Sequence, residues 1–457
     1  MPPGTPAALP AQAELFTDLY ELRMAHAYQA LGMREEAVFS LFVRRLPPAR
    51  NFLLACGTED LLDALEALRF GPESLGYLRS LGEFPEPFLS WLAGLRFSGS
   101  VHAVPEGTPV FAEEPILEVV APIAEAQLVE TLAMNLVGLQ TLLASKAARV
   151  VAAAAGRPVV DFGSRRAQGL DAAVAGARAF HIAGVAATSN LLAGARHGIP
   201  VAGTMAHSFV QAFGSEAEAF RAFARLYPET VLLVDTYDTP EGVRRVVALA
   251  RELGPGFRVR GVRLDSGDLL ALSREARAIL DAAGLDRLQV FASGGLDETR
   301  IAALLAAGAP IDAFGVGTEM SVSADAPALD IAYKLTRYAG EGRTKLSAGK
   351  RILPGRKQVF RAMAGGVAAG DVIARAEEDL PGEPLLRPVM RGGRRLAPRP
   401  ALAAIRAEAA ERVAALPARL RGLAPAEPPY PVALSPALAA HEREVRARVR
   451  GLAAPPA

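Results

Sequence analysis

Charged side chains gather where short apolar runs stop. Asp235 and Asp238 close the run VLLVDTYD, Asp265 and Asp268 close RGVRLDSGD, and Arg165 and Arg166 follow PVVDFG. Paired carboxylates beside a phosphate can hold Mg2+ or sugar hydroxyls, and can offset a developing positive charge. Aspartate also caps helices well, and Asp238 and Asp268 fit that simpler role better than Asp235 and Asp265. A guanidinium fork suits phosphate or carboxylate, or else a surface ion pair. His207 stands three residues after Thr204 and, of the 6 histidines, is the one placed on this edge. An imidazole there can act as acid, base, metal ligand or nucleophile. No second histidine or cysteine lies near it at ligand spacing, which argues against zinc. Gly294-Gly295 and Gly315-Val316-Gly317-Thr318 let backbone N–H groups approach an anion, and point to a phosphorylated ligand.

These groups need elements that bring them to one edge. The runs 158–163, 200–205, 231–238, 260–268, 288–295 and 311–318 are short and apolar, with Ala/Leu/Arg-rich helical stretches between most of them. Near-continuous apolar runs read as buried parallel strands, and their alternation with helices reads as βαβ units. The succession predicts an α/β barrel or a large doubly wound sheet. In either, the carboxyl ends of the strands form the ligand-binding face. Before it, residues 98–120 predict short strands in a mixed α+β region, followed by a long apolar helix over 125–155. After about 336 come Gly/Lys/Arg-rich strands, two Ala/Arg/Glu helices (400–424 and 436–452) and a proline-rich linker at 424–431. The expected division is an N-terminal α+β domain over 1–125 with a loose arm at 1–12, an α/β domain over 126–336, and an extension over 337–457, partly packed on the first domain. The last five residues are expected to be disordered.

Composition narrows the partners. The chain has 457 residues, 51% hydrophobic and 22% charged, which supplies ample core for two or three domains. Lys+Arg 50 against Asp+Glu 49 leaves a net charge of +1, with no basic excess for nucleic acid. A single cysteine, Cys56, excludes an internal disulfide and suits a reducing compartment. Neither a signal peptide nor a membrane span is expected, so the predicted location is cytoplasmic.

Taken in order, the motifs TDLYEL (17–22), FGSRRAQG (162–169), ATSNLLAG (187–194), GTMAHSF (203–209), VDTYDT (234–239), GVRLDSGDL (261–269), SGGLDE (293–298) and GVGTEM (315–320) resemble nicotinate phosphoribosyltransferases. The resemblance runs from about Thr17 to Gln358. It implies an incomplete or irregular TIM-like α/β barrel of the type II phosphoribosyltransferase kind, with an N-terminal α+β domain and a C-terminal extension. It implies that nicotinate is joined to phosphoribosyl pyrophosphate in NAD salvage, with ATP as co-substrate and Mg2+ as cofactor. It assigns His207 to a transient phosphohistidine, Asp235 and Asp265 to ribose and metal, and Gly294, Gly295, Gly317 and Thr318 to phosphate. Phe162, Arg263, Thr204 and Arg165 match contacts to the base, Arg165 reaching phosphate as well. Tyr20 would be donated across a homodimer interface. Ser189 stands where nicotinamide enzymes carry aspartate; a carboxylate would repel nicotinate, and serine does not. Asp161 stands where glutamate is common in nicotinate enzymes. A nicotinamide or quinolinate transferase, and a barrel that binds a phosphorylated sugar or nucleotide without turnover, are the competing expectations.

Overall fold

The computed structural model of the chain describes residues 12–347 and 349–453. The expected loose arm, apart from Gln12, and the expected disordered tail, apart from Ala453, lie outside them. Two compact units form, one over 146–327 and one from 12–145 together with 328–453.

The unit 146–327 is built on a six-stranded sheet. In spatial order its strands are Ala187–Thr188, Val159–Asp161, Ala313–Val316, Gln289–Ala292, Gly261–Leu264 and Val231–Leu233. Every pairing is parallel. Valine, leucine and alanine dominate these strands, and nearly all their residues are buried, as helices on the sheet require. Val160, Ala187, Phe291 and Ala313 pack together on one face, with Phe162 against them. The two edge strands, Ala187–Thr188 and Val231–Leu233, do not pair with each other, so the sheet is an open half-barrel.

Five of the expected runs supply strands here, and the sixth does not. Pro200–Met205 gives only a bridge from Val201 to Thr188. A proline and a glycine weaken it as a strand, and Ala187–Thr188 takes the edge position. Helices return the chain between strands, and their starts are set by capping side chains. Asp238 Oδ1 accepts from Glu241 N at 2.9 Å, and Asp268 Oδ1 accepts from Leu270 N and Ala271 N at 3.0 and 3.2 Å. These two aspartates are therefore helix caps.

In the other unit, Glu36–Val43 lies between Ile331–Tyr338 and Pro115–Pro122 in an antiparallel sheet. Ser100–Ala103 and Arg387–Arg391 extend that sheet. Strands from both ends of the sequence thus share one core. The unit borders fall at Ser145/Lys146 and Pro327/Ala328, whereas the sequence placed them at 125/126 and 336/337. The differences have local causes. Ile331–Tyr338 is committed to pairing with Glu36–Val43. The apolar helix expected over 125–155 breaks at Val129 into Ile123–Leu128 and Glu130–Ala153, and the second piece belongs to this unit as far as Ser145. Among the described residues Glu130–Ala153 alone is long and apolar enough to cross a membrane, but 67% of its most apolar window is buried inside the protein.

His102 sits half-buried in this antiparallel sheet, opposite Glu118 and Pro388. Burial, reinforced by the Arg356 guanidinium, lowers its pKa from 6.5 to about 4. The native state therefore resists a proton that the unfolded chain accepts. Stability from this group is fully present above pH 6.5 and declines as the pH falls toward 4. His102→Leu should flatten that decline by on the order of 1–3 kcal/mol. Denaturant midpoints measured from pH 4 to 7 check this; an acid limb as steep as the wild type's would refute it.

Candidate active site

The carboxyl ends of the parallel strands collect the predicted side chains, and Arg263 is where most of them meet. Its strand, Gly261–Leu264, lies between two neighbours in the sheet, and the Arg263 side chain is 11% exposed. Nη1 donates to Thr204 Oγ1 at 2.5 Å and to the Met205 carbonyl at 3.3 Å. Nε donates to Ser293 Oγ at 3.0 Å, and Nη2 to Asp265 Oδ1 at 3.0 Å. The same guanidinium carbon stands 5.4 Å from the centre of the Phe162 ring. One planar cation thus ties three loops and an aromatic face.

Asp265 takes the other half of this arrangement. Its Oδ1 also accepts from the Ser293 hydroxyl. Burial acts to raise its pKa, but the Ser293 hydroxyl and the Arg263 guanidinium outweigh that and hold it below the usual carboxylate range. Its Oδ2 faces His207 Nε2 at 3.7 Å. His207 opens the short helix His207–Gln211, and Thr236 Oγ1 lies 3.1 Å from its Nδ1. The imidazole is thus flanked by a hydroxyl on one nitrogen and a carboxylate on the other. Asp235 Oδ2 accepts from Asp265 N at 2.9 Å and from Ser266 Oγ at 2.6 Å. Its Oδ1 is buried and has no hydrogen-bond partner. A buried carboxylate oxygen left bare is costly unless a cation or hydroxyl meets it. Among the described residues no three His, Cys, Asp or Glu side chains form a metal cage. Asp235 Oδ1 and Asp265 Oδ2 could still hold a hard cation that takes its remaining ligands from water and phosphate.

The glycine turns lie on the same edge. Gly294 has φ +90°, and a Cβ there would stand 1.8 Å from the Asp265 carbonyl oxygen. The backbone must therefore be bare at this point. Gly295 follows, its carbonyl receiving Arg300 Nη1 at 2.6 Å. Gly317 precedes the helical turn Thr318–Ser321.

Two further loops carry Phe162, Arg165 and Ser189. Phe162 N donates to the Val316 carbonyl at 2.8 Å, and its ring tilts against Phe291 at 5.8 Å. Arg165 lies exposed in the 3-10 turn Ser164–Arg166. Asp161 links these loops from beneath. Its carboxylate accepts from Gly163 N at 2.8 Å and Thr188 Oγ1 at 2.7 Å, and its carbonyl accepts from Ser189 N at 2.8 Å. Burial pushes its pKa up, against the pull of those two donors.

Tyr20 belongs to the other unit. It lies in the helix Leu19–Ala30, 46% exposed, at the rim of a cavity of about 790 Å³ lined also by Arg44, Lys334, Lys345 and Lys350. Ser293, Ser266, Thr236 and Thr188 were not singled out in the sequence. Each is adjacent to a residue that was, at a strand end, and that adjacency was the available signal. Gly294→Ala should destabilise the protein by ~2–4 kcal/mol, through a strained φ and a backbone clash. Chemical denaturation measures this, and a loss under ~0.5 kcal/mol, the ordinary surface range, would refute the close approach.

Known proteins share this organisation. Residues 15–138, 158–374 and 379–441 match the family models for the N-terminal domain, the main family region and the C-terminal domain of nicotinate phosphoribosyltransferase. A nicotinate phosphoribosyltransferase of Mycobacterium tuberculosis is 59% identical over 422 residues, covering 92% of this chain and 91% of that one. One from Bacillus subtilis is 43% identical over 383 residues, covering 82% and 78%. The crystal structure of human nicotinic acid phosphoribosyltransferase superposes with a TM-score of 0.84 at 30% identity, covering 94% of this chain and 99% of that one. With all three family regions matched in order and relatives similar over nearly its whole length, the chain belongs to the nicotinate phosphoribosyltransferase family.

Proposed function

We propose that this protein joins nicotinate to phosphoribosyl pyrophosphate, giving nicotinate mononucleotide and pyrophosphate for NAD salvage. The observation that carries the reading is the Arg263–Asp265–Asp235 arrangement, with one bare carboxylate oxygen, at the mouth of a half-barrel edged by glycine turns. In the reaction the pyridine nitrogen lone pair forms a bond to the anomeric carbon. The bond from that carbon to the pyrophosphate oxygen breaks, and its electrons leave with pyrophosphate. The ribosyl group passes through a cation-like state. Asp265, held ionised by Arg263 and Ser293, offsets that charge. Asp235 and Asp265 would hold Mg2+, which supplies charge neutralisation on the departing pyrophosphate. Backbone N–H groups at Gly294, Gly295, Gly317 and Thr318 receive the ribosyl phosphate.

Phe162, its ring centre 5.8 Å from that of Phe291 and 5.4 Å from the Arg263 guanidinium carbon, offers the flat ring an aromatic surface. Thr204 and Arg165 add polar contacts. Ser189 leaves the nicotinate carboxylate unopposed, which favours the acid over the amide. His207 is the nucleophile toward ATP: a nitrogen–phosphorus bond forms as the bond to the ADP oxygen breaks, and water later takes the phosphoryl group. Its ring is held for this between Thr236 and Asp265.

We further propose a homodimer in which Tyr20 and the cations beside it complete the partner's site. Tyr20 is 46% exposed and borders a cavity lined by Arg44 and three lysines against Asp18 and Glu130, a cationic excess that suits an anionic ligand. The single cysteine, which is buried, accords with a cytoplasmic enzyme.

The test is product formation from phosphoribosyl pyrophosphate and Mg2+ with nicotinate, nicotinamide or quinolinate, each with and without ATP. Nicotinate alone should yield mononucleotide, with ATP raising the yield. His207→Ala should lose the ATP stimulation and keep slow ATP-independent synthesis. Equal use of nicotinamide would overturn the Ser189 argument, and normal ATP stimulation in His207→Ala would overturn the phosphohistidine. Binding of phosphoribosyl pyrophosphate without turnover of any base would return the reading to a binding protein.

A further inference from the structure

Behind the glycine turns lies a buried charge cluster that the chemistry above does not use. Lys146, on the helix Glu130–Ala153, is 2% exposed. Its Nζ donates to Glu298 Oε2 at 2.5 Å and lies 2.8 Å from Asp325 Oδ1. Glu298, 3% exposed, receives Arg149 Nε on its other oxygen at 2.9 Å. Burial acts to raise the Glu298 pKa, and these two cations overcome it, so the carboxyl stays ionised.

The placement of the two carboxylates gives the cluster its meaning. Glu298 is the first residue of the helix Glu298–Ala306, which follows directly on Gly294-Gly295 through the cap Asp297. Asp325 lies four residues after the turn Thr318–Ser321, which Gly317 precedes. One ammonium therefore spans the segments that carry both glycine loops. At Gly294, Gly295 and Gly317 those loops present bare backbone, with no side chain at these points to fix their separation. A buried ion pair is weak as a source of stability, since apolar residues of similar volume often replace it without loss. What it supplies is direction: two fixed distances from a single point.

We propose that Lys146 is a positioning residue, which sets the spacing of the Gly294-Gly295 and Gly317-Thr318 loops through Glu298 and Asp325 and so tunes the grip on the ribosyl phosphate of the donor substrate. The inference rests on the transferase reading, in which those loops hold phosphate. It predicts an asymmetry between the substrates. A shift in loop spacing weakens the phosphorylated donor, while the base rests on Phe162, Arg263 and Ser189.

The experiment uses the full-length protein, with initial rates taken while each substrate is varied against saturation of the other. Lys146→Met and Asp325→Asn should raise KM for phosphoribosyl pyrophosphate about tenfold or more, within the cost of a misplacement of roughly 1 Å. KM for nicotinate should change by a clearly smaller factor, because Arg263 and Phe162 stand on their own strand ends and meet the glycine loops one step removed, through Ser293 and the Val316 carbonyl. Lys146→Arg, which keeps a cation in reach of both carboxylates, should restore most of the donor KM. Asp325 is 33% exposed, so its variant remains informative where Lys146→Met fails to fold. Equal changes in both KM values, or a lowered melting temperature with both unchanged, would overturn the positioning role. Calorimetric titration of phosphoribosyl pyrophosphate into wild type and Asp325→Asn separates the two claims. Binding without turnover in the wild type defeats the transferase reading alone, and equal affinity in wild type and variant defeats the positioning role.

Discussion

The site depends on the Arg263 guanidinium. It is a rigid fork on a central strand, and it satisfies Thr204, the Met205 carbonyl, Ser293 and Asp265 while lying over Phe162. Those groups come from four segments: 204–205, Asp265, Ser293 and Phe162. The cation therefore does for the loops what the hydrogen-bond ladder does for the strands. With the Ser293 hydroxyl it also lowers the Asp265 pKa against the upward push of burial. A lysine could not do the same, because an ammonium has neither the fixed fork nor the flat face.

Around this hub the labour divides by chemistry. The side chains of the candidate site sit at strand termini, where the sheet fixes their origins. The backbone comes closest at the glycine turns: at Gly294 a single methyl would strike the Asp265 carbonyl. Buried carboxylates hold the loops from behind. Asp161 joins the Phe162 and Ser189 loops through Gly163 and Thr188, and Glu298 ties the helix behind Gly294-Gly295 to Lys146 and Arg149. Asp235 is built differently, with one oxygen committed to Asp265 N and Ser266 and the other buried without a partner. That contrast separates carboxylates whose hydrogen bonds hold loops together from one that keeps an unpartnered oxygen.

Much of this organisation could be read from local pattern. Apolar runs ending in polar residues mark buried parallel strands, and five became strands of one sheet. Asp238 and Asp268 were distinguishable from Asp235 and Asp265 because each stands just before a helical stretch and can cap it. What stayed hidden was non-local or small. The pairing of Glu36–Val43 with Ile331–Tyr338 moves a unit border, and no window of sequence contains both strands. Pro200–Met205 resembles its neighbours in composition, yet its segment serves Arg263 through Thr204 and Met205. Ser293 and Thr236 escaped notice because a lone hydroxyl beside a strand end is common. Lys146 and Glu298 escaped because charged residues are expected at the surface, and only the fold reveals that these are buried.

If one guanidinium assembles this edge of the sheet, Arg263→Lys must disable it. The substitution keeps the positive charge and removes the fork. Steady-state kinetics should show kcat/KM for nicotinate mononucleotide synthesis reduced by roughly 100-fold or more, with the melting temperature close to wild type. A variant within about threefold of wild type, a difference of well under 1.4 kcal/mol, would show that charge alone suffices at this position and would contradict the account.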